Sequence, residues 1–256
     1  MLTYISCAKT MTAKTKVTTS VPTTHPSFEK QAEGHALELS SLSAEELGQL
    51  LHVNSKMAAE NVLRYQDFFS ATNKPLPAIL SYTGMVFKRI NAADFTEEDF
   101  QFAQNHLLIT SFLYGLLRPM DLIKNYRLEG NVKLGNGGGE TMFNYWKPVL
   151  TDFFIRAIQR QGGILVNLAS EEMKSLVDWK RVCSEVRVVT PEFYTIKNGK
   201  LAAVTVYAKM CRGEMTRHII KNRIEQPEEL KGFEWEGFTF DPNRSTESDY
   251  YFVLGQ

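Results

Sequence analysis

The chain has 256 residues, of which 43% are hydrophobic and 23% charged, the ordinary composition of a soluble globular protein. At this length a folded chain buries roughly 75% of its unfolded surface, so neither metals nor disulfides are needed to hold it together. No stretch approaches the ~18 consecutive apolar residues of a membrane span, and Met1–Thr10 lacks the basic start and long apolar core of a signal peptide, so a cytoplasmic protein is expected. Twenty-nine basic and 29 acidic residues cancel, so bulk charge gives no sign of a nucleic-acid partner. The charge is nevertheless segregated: acids gather in 29–60, 94–99, 171–172 and 225–249, leaving 197–223 strongly basic.

Leu2–Ser6 alternates and is rich in β-formers, and it runs into Cys7-Ala-Lys9-Thr10, a small-residue turn with a lysine at its tip. Lysine and hydroxyls at the end of a first strand can hold a phosphate; an ordinary solvated loop has the same composition. Residues 12–27 read as a long surface loop. From Phe28 the pattern is helical. Ser43-Ala-Glu-Glu46 is a capping box, and Ser55 is placed to cap the following helix, which runs to Phe69. Pro75–Tyr82 is a short apolar run between prolines and predicts a buried strand; Met85–Ile90 predicts a short helix. Thr96-Glu-Glu-Asp99 opens another helix with acids in its first turn, where the helix dipole favours them.

Residues 107–129 carry the most suggestive pattern. An apolar run reaches Gly115, which takes positive φ at no steric cost, and Arg118-Pro119 then restarts the chain with a residue suited to a first helical position. One reading is a helix-hairpin-helix over about 97–124, whose glycine turn offers backbone N–H groups to a phosphate, with Arg118, Lys124 and Arg127 nearby. The other is a buried strand that ends in a turn.

Val132–Leu134 predicts a strand, broken by Gly135-Asn-Gly-Gly-Gly139, which is not a Walker loop because no Lys-Ser/Thr pair follows. Phe143–Gln161 is amphipathic and ends at Gly162-Gly163; Ile164–Leu168 is a buried-type strand, and Ser170 can cap a helix from Glu171. Asn198-Gly199 predicts a hairpin between two long antiparallel strands, 187–196 and 201–207. A helix follows over 208–224, with Arg217, His218 and Lys221 on one side and Arg212 and Arg223 together on another, flanked by apolar residues. Such a flanked pair needs a carboxylate or an anionic ligand. Glu234–Phe240 and Asp249–Leu254 alternate and predict two closing strands.

Catalytic signatures are few. No G-x-S-x-G elbow or H-E-x-x-H is present, the five histidines are scattered, and Cys7, Cys183 and Cys211 lack C-x-x-C spacing. No catalytic residue, metal site or cofactor is assigned. The remaining signal is positive charge at element ends and on one late helix: Lys9, Arg118, Arg127, Lys209, Arg212, Arg217, Lys221 and Arg223. Tyr114 and Gly115 join them if the glycine turn meets a phosphate.

Several stretches together resemble the bacterial peroxide stress protein family YaaA: Met1–Thr10, Leu113–Leu122, Tyr126–Glu129, Asn167–Ser170, Tyr207-Ala-Lys209 with Arg212-Gly213, and Asn222-Arg223. They span nearly the whole chain in order. The resemblance implies a cytosolic protein that limits hydrogen peroxide damage by lowering free iron. It also implies one α/β domain over 1–256 with a central mixed sheet, a positively charged cleft and a helix-hairpin-helix-like motif that binds double-stranded DNA with little sequence preference. Carried onto this chain, the motif falls on Leu113–Arg118 and the cleft cations on Lys9, Lys209, Arg212 and Arg223. Two departures stand out: Cys7 in place of proline in the first loop, and Gly137-Gly-Gly-Glu140 in place of a more basic segment. The competing expectation is an enzyme whose phosphorylated or nucleotide substrate is clamped by Lys9, Arg212 and Arg223; direct iron binding has the least support.

Overall fold

A four-residue strand at the very start of the chain sits in the middle of the main sheet. In the computed structural model, which describes residues 1–255, β1 (Leu2–Ile5) is buried along its whole length. An extended loop then leads to three helices: α1 (Glu29–Ser40), α2 (Ala44–Leu51) and α3 (Ser55–Gln66). The Ser43/Glu46 capping box forms as expected, whereas the side chain that caps α3 is Asn54, which accepts from the Met57 amide.

The strand expected over 75–82 is not made. Only Leu76–Pro77 (β2) is extended, and Ala78–Ser81 turns into one helical turn, α4. Pro77 provides a preset φ at its start, and the amides of Ala78 and Ile79 donate to Asp121 and Pro119 carbonyls instead of to a strand. Next come α5 (Met85–Ile90) and α6 (Glu97–His106), the latter closed by a Thr96/Asp99 capping box.

The chain leaves α6 directly into β3 (Leu107–Ser111), which pairs antiparallel with β4 (Gly115–Leu117). Both strands are wholly buried. Gly115 has φ +73°, and a Cβ there would meet the Trp146 ring at 2.9 Å. A two-residue strand, β5 (Leu122–Ile123), follows where a second helix was expected. The helix-hairpin-helix expectation over 97–124 is therefore corrected to helix, strand, hairpin, strand. The physical reason is burial: the largely apolar run 107–117, with Thr110 and Ser111 buried in it, pairs as β3 and β4 in a covered sheet instead of presenting a helix N-terminus to a phosphate.

The 132–134 strand is reduced to a single bridge, Lys133 to Thr141. Helix α7 (Met142–Arg160) buries Trp146, Leu150, Phe154 and Ile158 against the sheet and leads to β6 (Ile164–Asn167). Residues 171–176 form a 3-10 turn, so the regular helix starts later, at α8 (Trp179–Glu185), capped by Asp178. The long strand β7 (Arg187–Lys197) turns at Asn198-Gly199 into β8 (Lys200–Ala202), only three residues. Leu201, Val204, Val206 and Tyr207 are exposed, so nothing covers a longer partner strand, and the chain enters α9 (Thr205–Asn222) early. The chain closes with β9 (Phe238–Phe240) and β10 (Asp249–Leu254).

The main sheet runs β4-β3-β1-β6-β7-β10-β9, with β8 alongside β7. Strands β3, β1, β6, β7 and β10 are parallel, while β4, β8 and β9 pair antiparallel with their neighbours, giving the expected mixed α/β architecture. The chain passes from β1 to β3 on one side and to β6 on the other. The carboxyl end of β1 is thus a point where the winding direction reverses, a place where open parallel sheets leave a crevice.

Candidate functional site

That crevice is present. A cleft of about 470 Å³ is lined by the turn after β1 (residues 6–10), the start of α5, the stretch 126–132, the residues just after β6, and Lys209 and Arg212 of α9. Its floor is hydroxyl-rich. Ser6 Oγ accepts from the Ser170 amide at 2.8 Å, tying the ends of β1 and β6 together. The Cys7 amide donates to Thr110 Oγ1 at 2.9 Å, and the Tyr126 hydroxyl lies 2.8 Å from that of Tyr82 and 2.7 Å from Ser111 Oγ. Burial pushes both phenols well above their ordinary range and the Cys7 thiol up to about 11, so at neutral pH these groups are neutral hydroxyls and a thiol, not thiolate or phenolate nucleophiles.

Close approach shapes the walls. A Cβ on Gly213 would sit 2.4 Å from the Val86 carbonyl oxygen and 2.6 Å from Arg89 Cβ, so α9 packs backbone to backbone on α5. This brings the first turns of α9 over the mouth of the cleft.

Four of the sequence-predicted cations line it: Lys9, Arg127, Lys209 and Arg212. Lys9 and Arg127 share Glu129, at 2.7 and 3.0 Å. Burial is the main influence holding Glu129 up, but the two cations prevail and keep it below its ordinary range. Lys209 is exposed and makes no ion pair among the described residues. Arg212 differs from all the others. It is half-buried, its Nε is buried with no partner, and its guanidinium has no hydrogen bond or ion pair among the described residues. Burial lowers its pKa, with Glu192 and Glu171 pulling the other way, yet a guanidinium stays charged. A partly desolvated charge with no carboxylate in direct contact is costly, so the site favours an anion. The amides of Ala8, Lys9 and Thr10, in the turn lining the cleft, also donate to no group among the described residues. Successive free amides in a turn are a common anion-binding device.

The other predicted site residues lie elsewhere. Tyr114 is buried and its hydroxyl accepts from the Lys124 amide at 3.1 Å; Gly115 packs on Trp146. Arg118 pairs with Asp121 at 3.2 Å. Arg217 makes a two-pronged contact with Asp94 at 2.7 and 2.8 Å, while Lys221 and Arg223 both reach Asp99 at 2.7 Å. Burial alone would raise the Asp99 carboxyl, but hydrogen bonds from Lys221, the Thr96 amide and Arg223 bring it down to about 2. The pairing anticipated between Arg212 and Arg223 does not occur: Arg223 ends α9 in a left-handed conformation, φ 55°, and turns back onto α6. Sequence reasoning missed Glu129 as the tie between two cations, Ser6 and Ser170 as the lock between strand ends, and Gly213 as the close-approach residue. The acidic first turn at Thr96–Asp99 placed Asp99 at a helix start, but its capping box and its two cation partners are seen only in the structure.

A sequence model of the family described as peroxide stress protein YaaA matches residues 1–244. The chain belongs to this family. Full-length relatives agree. A UPF0246 protein of Phocaeicola vulgatus is 63% identical over 254 residues, covering 99% of both chains. One from Porphyromonas gingivalis is 48% identical over 99% of this chain and 100% of its own, and one from Tolumonas auensis is 36% identical over 98% and 97%. Membership in a peroxide stress family fits a role in oxidative stress. Among the described residues no helix is long and apolar enough to cross a membrane.

Proposed function

We propose that the protein serves the peroxide stress response by binding double-stranded DNA through the sugar-phosphate backbone at the β1 cleft, protecting it while free intracellular iron is lowered. The observation that carries this reading is Arg212, a half-buried guanidinium with no partner of its own, beside the unpaired Lys209 and the free amides of the 8–10 turn. Hydroxyls and amides supply neutral donors around these charges, the mixture that holds phosphates without reading bases. The family adds the physiological setting. Iron is the less direct part, checked by the chelatable iron of peroxide-challenged cells that carry wild type or Arg212→Ala.

A salt titration of duplex binding tests the main claim. Binding at ~50 mM salt with log affinity falling linearly in log salt is expected, at a slope of about −0.9 per phosphate neutralised. Absence of binding at that salt overturns it. The enclosure of the cleft favours a second reading, an enzyme or receptor for a small phosphorylated or nucleotide substrate. Such a ligand at ~100 Kd stabilises by about 2.7 kcal/mol in a thermal-shift assay, and duplex DNA then competes with it.

A further inference from the structure

The electrostatics and the apolar half of the cleft narrow what it admits. Among the lining residues Lys9, Arg127, Lys209 and Arg212 outnumber Glu129 and Glu172 by two charges, with Glu171 and Glu192 acting on Arg212 from outside the lining. A phosphate monoester carries about −1.5 to −2 at neutral pH, so a single terminal phosphate balances the site. The diesters of a continuous backbone find less there, because Glu129 already pairs with Lys9 and Arg127 and leaves Lys209 and Arg212 as the unpaired cations. The Nε of Arg212 is sealed from solvent, so its guanidinium meets the cleft through the two terminal nitrogens. The same cleft has an apolar wall that phosphate alone does not explain: Leu50, Met85, Val132 and Phe143 line it. Phe143 is half-buried, and its ring is held in place by Gly130, where a Cβ would fall 2.2 Å from it, and by an edge-to-face contact with Phe112. Bases stack on such rings with little regard to sequence.

We infer that the cleft takes one nucleotide bearing a terminal phosphate monoester, either a free mononucleotide or the 5′-phosphorylated, unpaired end of a DNA strand. The phosphate lies at Arg212, Lys209 and the 8–10 turn, and the base lies on Phe143. This deepens the DNA-binding reading and rests on its assignment of the cleft to phosphate.

The experiment measures binding of the full chain, at ~50 mM salt, to four DNAs of equal length: a duplex with a 5′-phosphorylated overhang, the same with a 5′-hydroxyl, a blunt duplex, and a duplex closed by hairpins at both ends. Competition with dAMP, deoxyadenosine and inorganic phosphate accompanies it. The 5′-phosphorylated overhang is expected to bind roughly tenfold tighter than the 5′-hydroxyl form. dAMP should compete better than inorganic phosphate, and deoxyadenosine hardly at all. Phe143→Leu and Lys209→Ala should each remove most of the preference; Lys209 is exposed, so its variant tests the site without threatening the fold. Equal affinity for all four DNAs with no competition by dAMP overturns the inference and leaves DNA binding standing. Inorganic phosphate competing as well as dAMP overturns the base-stacking half. No DNA binding with stabilisation by dAMP removes the DNA reading and keeps the inference for a free mononucleotide. Failure of both removes both.

Discussion

The two ends of α9 make an instructive contrast. Its first half presents Lys209 and Arg212 to the cleft with no acidic partner, whereas its second half and C-cap present Arg217, Lys221 and Arg223, each tied to Asp94 or Asp99. Along the sequence the five residues look like one basic helix. In space, α6 and the turn before it bring carboxylates against one end only. Positive charge in a sequence is therefore not a ligand signal until its counter-ions are known. A paired surface cation is worth little, about 0–1 kcal/mol, while an unpaired desolvated one costs energy that a ligand can offset.

Four predictions bear on this contrast. Gly213→Ala, between the two ends, should have the largest effect: its Cβ meets Val86 O at 2.4 Å, so α9 must move off α5. Overpacking of this kind costs about 1–3 kcal/mol, and thermal unfolding should show a loss of several degrees together with weakened DNA binding. An unchanged Tm would mean that the backbone contact is not tight. Next comes Asp99→Asn. With the carboxyl held near 2, its extra stability is present above about pH 4 and is lost as pH falls toward about 2. The variant should lose roughly 1–2 kcal/mol at neutral pH and show a flatter acid-unfolding profile across that window. Denaturant melts at pH 7, 4 and 2.5 check both points, and parallel profiles would refute the linkage.

Smaller in free energy, but sharper about the contrast, is a pair of arginine variants. Arg212→Ala should cut duplex affinity by roughly tenfold while leaving stability unchanged or slightly raised, because an uncompensated charge is removed. Arg217→Ala should do the reverse, losing about 1 kcal/mol or less of stability with duplex affinity intact. Equal effects of the two on binding would erase the distinction drawn between the two halves of α9. The smallest effect concerns thiols: Cys183 is exposed, Cys211 is buried, and Cys7 has its thiol pushed up to about 11 by burial. One fast-reacting thiol at pH 7.5, abolished by Cys183→Ser, is expected in a thiol-reagent time course; rapid loss of Cys7 would contradict its neutral, inert state.

Much of the architecture was legible in one dimension. The strand at 2–5, the capping box at Ser43/Glu46, the helix over Met142–Arg160, the strand after Gly163 and the turn at Asn198-Gly199 all carry local signals, and each forms within a residue or two of its expected place. Lys9, Arg127, Lys209 and Arg212 were legible as candidate residues because charge at an element end is itself a local feature. The errors fall where local patterns are degenerate. A largely apolar run such as 107–117 suits a buried strand or a buried helix equally, and its burial on both faces decided for the strand. The length of β8 was decided by the lack of anything to cover Leu201–Tyr207.

By itself, then, the sequence determined the period of each strong element, the positions of its caps and turns, and which residues carry charge, since all of these depend on neighbours a few positions away. Only the tertiary structure decided which charges remain unpaired. Asp94 and Asp99 lie more than a hundred residues from the cations they neutralise, Glu129 lies 120 from Lys9, and no carboxylate comes within ion-pair distance of Arg212 among the described residues. Coulomb and desolvation energies depend on distances through space, and those were set by the reversal of the sheet at β1 and the close seating of Gly213 on α5.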